Sequence, residues 1–255
     1  MKKFALLLIL FSFFSCKNET DKKDVFGKEK VENTKSSSFE ERVKREIEVK
    51  LEIPVKEKYE FKIHYAFLNA DANKDAIITV NRLGFAMDEA AKAENTAKRA
   101  EFGYMGNYNY FFYYDGKLDK ISVPMVVASS SKSPLKVTFN NIQSEIYQDV
   151  SIDYRIKNAA FRSYYLIENG SCQIIFQWKL FDQIGLDSYE ANFIKYDEGT
   201  LSLTKDILIY KGKIKDYTTK VEDISRYDPT IENTNEELYR FFYDPRTMKY
   251  MTKKK

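Results

Sequence analysis

The sequence is poor in the residue types on which most recognisable catalytic and metal sites depend. Its 255 residues include two cysteines, one histidine, one tryptophan and nine glycines. A Ser-His-Asp triad or a Cys-His pair would have to use His64, and no G-x-S-x-G motif is present. The counts also exclude a zinc site built from several histidines and cysteines, and no glycine-rich phosphate loop is present. We assign no catalytic residue and expect no cofactor.

Charge of one sign is also lacking. The chain has 41 basic and 38 acidic residues, which gives a net charge of +3. No basic stripe stands out, so no nucleic-acid partner is expected. Hydrolysis by paired carboxylates stays open, because so many acidic residues always allow some pair and the sequence selects none.

The first residues have the proportions of a secretory signal. Two lysines precede an apolar run over 5–14 that only Ser12 interrupts. A membrane-spanning helix needs about 20 apolar residues, so this run is too short to span. Ordinary signal cleavage needs small residues at positions −3 and −1, but Ser12 is paired with Phe14 and Ser15 with Phe13.

The end of the apolar run, "FSFFSC", places a cysteine directly after a small residue. It resembles a relaxed form of the lipobox of bacterial lipoproteins. The resemblance implies removal of residues 1–15 as a signal peptide and acylation of Cys16, and therefore a membrane anchor. Residue 17, directly after the cysteine, is a lysine and not an aspartate. This resembles the residue that sorts lipoproteins to the outer membrane. The alternative is a cysteine that merely ends a signal sequence.

Residues 16–38 are charged and serine-bearing, with few large apolar side chains. Such a segment buries too little surface to offset its ordering entropy, so we expect a flexible lipidated tether. Residues 39–255 are then predicted to form a single domain. With Cys16 acylated, Cys172 has no disulfide partner, and both Cys172 and His64 lie in strand-like stretches where a structural role is expected.

Alternation of apolar and polar residues predicts an all-β fold. "REIEVKLEIPV" puts four apolar residues from Ile47 to Ile53 on one face, and "YEFKIHYAF" does the same from Tyr59 to Tyr65. Many short strands joined by turn signals indicate an antiparallel β-sandwich with Greek-key or jelly-roll character. Further strands are predicted over 136–139, 150–156, 189–196, 200–203 and 207–210.

Three turn signals separate strands. Asp115-Gly116 and Asn169-Gly170 each lie between two strand-like stretches and predict type I′ hairpin turns, which need positive φ at both central residues. Lys211-Gly212 marks a third turn.

Two segments favour helix. "AMDEAAKAENTAKRAEF" is rich in Ala, Glu and Lys and predicts one surface helix. "TNEELYRFF" has Thr234 and Glu237 in capping-box spacing and predicts a short C-terminal helix that Asp244-Pro245 ends.

A possible calcium loop lies in "DANKDAIITVNR". Asp71, Asn73 and Asp75 occupy positions 1, 3 and 5 of an EF-hand loop. However, Ala76 replaces the turn glycine and Arg82 replaces the bidentate glutamate. The favoured interpretation is a polar hairpin loop, with the three residues kept as metal-ligand candidates.

Aromatic residues are abundant, with nineteen Tyr and nineteen Phe. The stretch "GNYNYFFYYDG" places rings on both faces of one strand. Such a strand either lies between two covered surfaces, as core, or exposes one face that can stack on a saccharide or peptide. The ligand-binding candidates are Tyr108, Tyr110, Phe112, Tyr113 and Tyr114.

These observations favour a lipid-anchored protein of the cell envelope at the outer membrane, facing the periplasm or the exterior. We expect a non-enzymatic binding or structural module, with a saccharide as the most concrete ligand. One alternative is a carboxylate-dependent glycan hydrolase with two carboxyl groups about 5 to 9.5 Å apart in an aromatic cleft. Another is an assembly partner in an envelope protein complex, which would show a broad apolar patch.

Overall fold

Antiparallel strands are the main regular structure of the described chain. The computed structural model describes residues 38–168 and 170–252, so the predicted signal peptide, the lipobox-like segment, residues 16–37 of the predicted tether and Asn169 lie outside the described residues. The residues Phe39–Lys255 group into one compact unit. The helices are α1 (Phe39–Lys50), α2 (Leu83–Lys92) and α3 (Thr96–Ala100). The strands are β1 (Glu60–Ala66), β2 (Asp75–Asn81), β3 (Gly106–Asp115), β4 (Lys120–Ile121), β5 (Met125–Ser129), β6 (Lys136–Asn140), β7 (Asp149–Ile156), β8 (Ala159–Glu168), β9 (Ser171–Asp182), β10 (Glu190–Asp197), β11 (Asp206–Ile214), β12 (Ile231–Asp244) and β13 (Lys249–Met251).

The strands form two sheets that follow the order of the chain. The first has the order β1-β2-β3-β4, with β5 beside the first half of β3. The second runs from β6 to β13 without a crossover. All pairings are antiparallel. The prediction of an all-β, sandwich-like fold is therefore confirmed, whereas the connectivity is a meander in place of the expected Greek key or jelly roll.

The two sheets pack face to face through large apolar side chains. Phe111 and Tyr113 of β3 lie in one buried cluster with Val150 and Ile152 of β7 and Tyr165 of β8. The rings of Phe111 and Tyr165 meet edge to face, with centroids 4.9 Å apart. Burial of such side chains contributes about 1.5–3 kcal/mol each, so this layer is a major source of stability.

The outer face of the first sheet is covered by α1, where the sequence predicts a strand. Val43 and Ile47 of α1 are buried against Ile78 and Phe112. The prediction of a strand at 47–53 is wrong. Besides the alternation of apolar and polar residues, this segment has apolar residues at every fourth position, a pattern that begins before residue 47. These apolar residues are Phe39, Val43, Ile47 and Leu51, which share one helical face.

The C-terminal segment shows the opposite error. The predicted helix at 234–242 is part of β12, in which Tyr239 and Phe241 pair with Ile209 and Ile207 of β11. Phe241 packs on Phe176 with ring centroids 4.8 Å apart. Sheet pairing and this aromatic contact override the capping-box spacing. β11 also continues through Lys211-Gly212, so the predicted turn there is wrong, and 200–203 belongs to a loop instead of a strand.

The two hairpin predictions have different outcomes. Glu168 pairs with Ser171, and Gly170 has φ of +73°, so a two-residue connection joins β8 to β9 as predicted. Between β3 and β4, Asp115 pairs with Lys120 and leaves a four-residue loop. A type I′ turn at Asp115-Gly116 is therefore wrong, because the Asp115 carboxylate instead accepts backbone N–H groups of the loop.

The predicted surface helix is present in two pieces. It divides into α2 and α3, with the Asn95 side chain accepting the backbone N–H of Lys98 at the start of α3. None of the helices in the described ranges is long and apolar enough to cross a membrane.

Candidate functional site

The antiparallel meander gives the sandwich two ends with different contents. One end, called here the loop end, carries the loops 67–74, 116–119, 141–148 and 198–205. The other, called the helical end, carries α2 and α3 and the connections 130–135 and 215–230. At the helical end the backbone N–H groups of Ser130 and Ser131 donate to the carbonyls of Arg155 and Phe102.

A cleft of about 230 Å³ opens at the helical end. Buried rings of Tyr154 and Phe181 line it, together with the half-buried ring of Tyr227. The exposed lysines Lys132 and Lys136 are also part of its lining. The cleft therefore joins aromatic surface to cationic side chains.

Arg155 on β7 holds one wall of the cleft in place. The guanidinium Nη1 donates to the carbonyl of Tyr227 at 2.8 Å, and Nη2 donates to that of Ile224 at 2.9 Å. Its Cζ lies 4.8 Å from the centroid of the Phe181 ring, a cation–π contact. These contacts tie the long connection 215–230 to the sheet.

The charge of Arg155 is buried without a carboxylate of its own. The side chain is 9% exposed, and its hydrogen-bond partners in the described chain are carbonyl oxygens. Burial lowers the pKa of Arg155 to about 10, and the carboxylate of Asp228 partly opposes this shift. That carboxylate is already engaged by Lys136 at 2.5 Å. The wall therefore carries positive charge that carbonyl dipoles solvate only in part.

The whole cleft has a cationic excess. Asp153 accepts two hydrogen bonds from Arg162, at 2.6 and 2.8 Å, and Asp223 pairs with Arg226. Among the lining residues and these direct partners, five cations face three carboxylates. The cations are Lys132, Lys136, Arg155, Arg162 and Arg226, and the carboxylates are Asp153, Asp223 and Asp228. Such a concave surface attracts a small anion and stacks on a ring.

The predicted aromatic strand does not contribute to this cleft. β3 lies between α1 and the second sheet, so Phe112 and Tyr113 are buried as core residues. Tyr108 is also buried, and its ring meets that of Phe85 of α2 edge to face. Tyr110 and Tyr114 are half-buried, and their hydroxyls donate to the carbonyl of Asn107 and the carboxylate of Asp119. A ligand-binding role on this strand stays a prediction that depends on Tyr110 and Tyr114.

The predicted calcium loop connects β1 to β2 as a polar hairpin loop. Asp75 is fully buried, and its two carboxylate oxygens accept the backbone N–H groups of Leu68 and Gly116. Asp71 instead accepts the N–H of Asn73 in a local turn. Within the described ranges no group of three or more His, Cys, Asp or Glu residues has the arrangement of a metal site.

Two further cavities lie at the loop end, of about 640 and 420 Å³. They bring the candidate residues Tyr113 and Asp71 near each other, with Cys172 in the larger cavity. Burial raises the pKa of the Cys172 thiol to about 12, which disfavours a nucleophilic thiolate.

The cleft residues come from segments that are distant in sequence, and for this reason sequence patterns did not reveal them. Arg155 was visible only as a charged residue within the strand 150–156, and Tyr227 lies in a stretch without periodicity. The one available signal is an arginine near the end of a strand that is otherwise largely apolar. No protein-family model, curated protein or solved structure matches this chain.

Proposed function

We propose that this chain is a lipid-anchored, non-enzymatic binding module of the cell envelope whose cleft takes one ring of an acidic saccharide. The lipobox-like sequence at Cys16 supports the anchor and the outer-membrane location. The observation that carries the ligand class is the buried guanidinium of Arg155, which lies beside aromatic rings without a carboxylate of its own.

The composition of the cleft matches the chemistry of such a ligand. The apolar face of a sugar ring packs on aromatic side chains, here those of Tyr227 and the buried Phe181, which both line the cleft. Its carboxylate is attracted by Lys132 and by the charge of Arg155. The volume of about 230 Å³ lies below the roughly 300–1,000 Å³ of sites for drug-sized ligands, so a single ring of a longer chain is the expected occupant.

The hydrolase alternative receives less support from the same geometry. Glycoside hydrolysis needs one protonated carboxyl group and a second carboxylate nearby. The two carboxylates in the cleft, those of Asp153 and Asp228, are both ion-paired, with Arg162 and Lys136. Neither is therefore free to donate a proton to a leaving group.

The test is a thermal-shift comparison of neutral and acidic oligosaccharides of equal length, with the full-length chain in detergent. At a ligand concentration 100 times Kd, binding stabilises the fold by about 2.7 kcal/mol. For a chain of this size that corresponds to a rise in Tm of roughly 5–10 °C. We expect this rise only with the acidic series, and we expect salt to reduce it.

Matched variants locate the binding. Lys132→Gln combined with Arg226→Gln removes two cations of the cleft, and the acidic ligands should then stabilise the fold much less. Lys195→Gln removes an exposed lysine on β10 outside the cleft and should leave the shift unchanged. Equal shifts with neutral and acidic sugars, or no shift with any sugar, would contradict the proposal. Release of reducing ends would favour the hydrolase.

A further inference from the structure

Three hairpins at the loop end share one design. The loops 67–74, 141–148 and 198–205 each have eight residues, and each is followed by an aspartate that begins the next strand. These aspartates are Asp75, Asp149 and Asp206, with exposed fractions of 0%, 5% and 0%. Their carboxylates accept the backbone N–H groups of Leu68, Ile142 and Thr200 at 3.2, 2.9 and 3.1 Å. Every loop is thus closed onto the strand that follows it.

The three loops are also joined to one another. The backbone N–H of Gln148 donates to the carbonyl of Phe67 at 2.8 Å, which links the first loop to the second. The N–H of Lys205 donates to the carbonyl of Ile142 at 2.9 Å, which links the second to the third. We call the set of these three loops the loop ridge.

The loop ridge presents large apolar side chains to solvent. Ile146 and Leu201 are 79% and 58% exposed, Leu203 is fully exposed, and Phe67 is half-exposed. A single exposed leucine needs no explanation, but four such side chains on three linked loops concentrate exposed apolar surface at one end of the domain. Removal of such side chains from water is favourable.

The chain enters the domain at this same end. Phe39, the first residue of α1, packs on Tyr114 with ring centroids 4.7 Å apart, and Arg42 pairs with Asp119 of the loop 116–119. Only 22 residues separate Phe39 from Cys16, and an extended chain of that length reaches at most about 75 Å. An acyl group on Cys16 would therefore hold the domain within this distance of the bilayer, and the chain enters the domain at the loop end.

We propose that the loop ridge inserts Ile146, Leu201 and Leu203 into the lipid surface to which Cys16 is attached. This inference rests on the lipid anchor of the proposed function. Aliphatic tips gain from hydrocarbon of any shape, whereas protein interfaces depend on Trp, Tyr and Arg anchors in fitted pockets. With the loop end on the membrane, the cleft at the helical end faces away from it, where a ligand can reach it.

Quenching of an introduced tryptophan by brominated lipid tests the insertion. The full-length acylated chain is reconstituted in phosphatidylcholine vesicles with and without bromine on the acyl chains, as Leu203→Trp and as Val55→Trp. Val55 is as exposed as Leu203 but lies near the helical end, in the segment where Glu57 pairs with Arg82. We expect brominated lipid to remove at least half of the fluorescence that the Leu203→Trp substitution adds and to leave that of the Val55→Trp variant unchanged.

Acyl labelling separates failure of the anchor from failure of the docking. Cys16→Ala should abolish metabolic acyl labelling, whereas Cys172→Ala should retain it. If the Cys16→Ala variant keeps its acyl label, as Cys172→Ala does, the anchor assignment is wrong and the proposal loses its basis. If Cys16 is labelled but the tryptophan of the Leu203→Trp variant is not quenched, only the docking of the loop ridge is wrong. If the tryptophan of that variant is protected from an aqueous quencher in native envelopes but not in vesicles, the partner that covers the loop ridge is a protein and not lipid.

Discussion

The two ends of the sandwich are closed by buried side chains of opposite charge. At the loop end, the carboxylates of Asp75, Asp149 and Asp206 accept backbone N–H groups. At the helical end, the guanidinium groups of Arg82 and Arg155 donate to backbone carbonyls. Loops that are buried at their base must satisfy their backbone polar groups, and buried charged side chains do part of this at each end.

The members of each group differ in whether the buried charge is neutralised. Asp206 has Arg240 at 3.2 Å and Arg82 has Glu57 at 2.6 Å. Asp75 has only N–H and O–H donors, and burial raises its pKa. Burial also disfavours the charged form of Arg155 and therefore lowers its pKa. At each end, one buried charge, that of Asp75 or of Arg155, therefore has backbone groups as its main counter-charge.

This difference has a functional consequence. A guanidinium held by carbonyls leaves positive potential on the surface beside it, and the cationic cleft lies there. The carboxylates held by N–H groups turn inward, and the loops around them expose the aliphatic side chains of Ile146, Leu201 and Leu203 beside polar ones such as Glu145. One end is therefore suited to an anion and the other to an apolar surface.

Asp75→Ala tests the loop end and should have the largest effect. It leaves the buried N–H groups of Leu68 and Gly116 without their acceptor, so we expect a loss of about 3 kcal/mol in the free energy of unfolding. Thermal melts should show a Tm lower by roughly 6–12 °C.

The matched control for this substitution is Asp71→Ala, in the same loop. Asp71 accepts from Asn73 in a local turn, so its loss should cost well under 1 kcal/mol. Both variants should melt alike in calcium and in chelator. Equal stability of the two variants would disprove the role of Asp75 as the closure of this loop, and a calcium-dependent difference would favour the calcium-loop hypothesis.

Arg155→Met tests the helical end. It keeps the apolar length of the side chain but removes the donors to Tyr227 and Ile224, so we expect a loss of about 2 kcal/mol and faster hydrogen exchange over 224–228. Arg226→Met is the control, because its guanidinium is mostly exposed. If Arg155→Met instead makes hydrogen exchange faster in the loop 67–74, the two ends of the sandwich are not independent.

The parts of the fold that depend on residues close together in the chain could be predicted from the sequence. The strand β7 alternates clearly, and the β8–β9 hairpin is fixed by a two-residue turn that carries glycine. The segments of α1 and β12 fit two periods at once. In α1 the position of Ile47 against Phe112 selects the helix, and in β12 the pairing of Phe241 with Ile207 selects the strand. Those partners lie far away in sequence, so the local pattern was insufficient.

The loop ridge left a signal in the sequence that periodicity does not register. Before each closing aspartate stands Lys or Gln, and after it comes an apolar strand: "KDAII", "QDVSI" and "KDILI". The spacing between these motifs is irregular, so they do not form a sequence repeat. The cleft left no such signal, because it joins the segments 132–136, 153–160, 180–181 and 225–228 only through the fold.

Gly170→Ala gives the smallest effect and completes the comparison at the loop end. The β8–β9 connection there has two residues, so the backbone conformation of Gly170, with φ of +73°, takes the place of a buried carboxylate. A Cβ at this position would meet no atom within 4 Å, so the cost comes only from the positive φ and should be about 1 kcal/mol. Thermal melts should show a Tm lower by about 2–4 °C. Gly103→Ala, where the added Cβ makes ordinary contact with Lys132, should be nearly neutral. An unchanged Tm for Gly170→Ala would mean that strand pairing, and not this turn, sets the register of the hairpin.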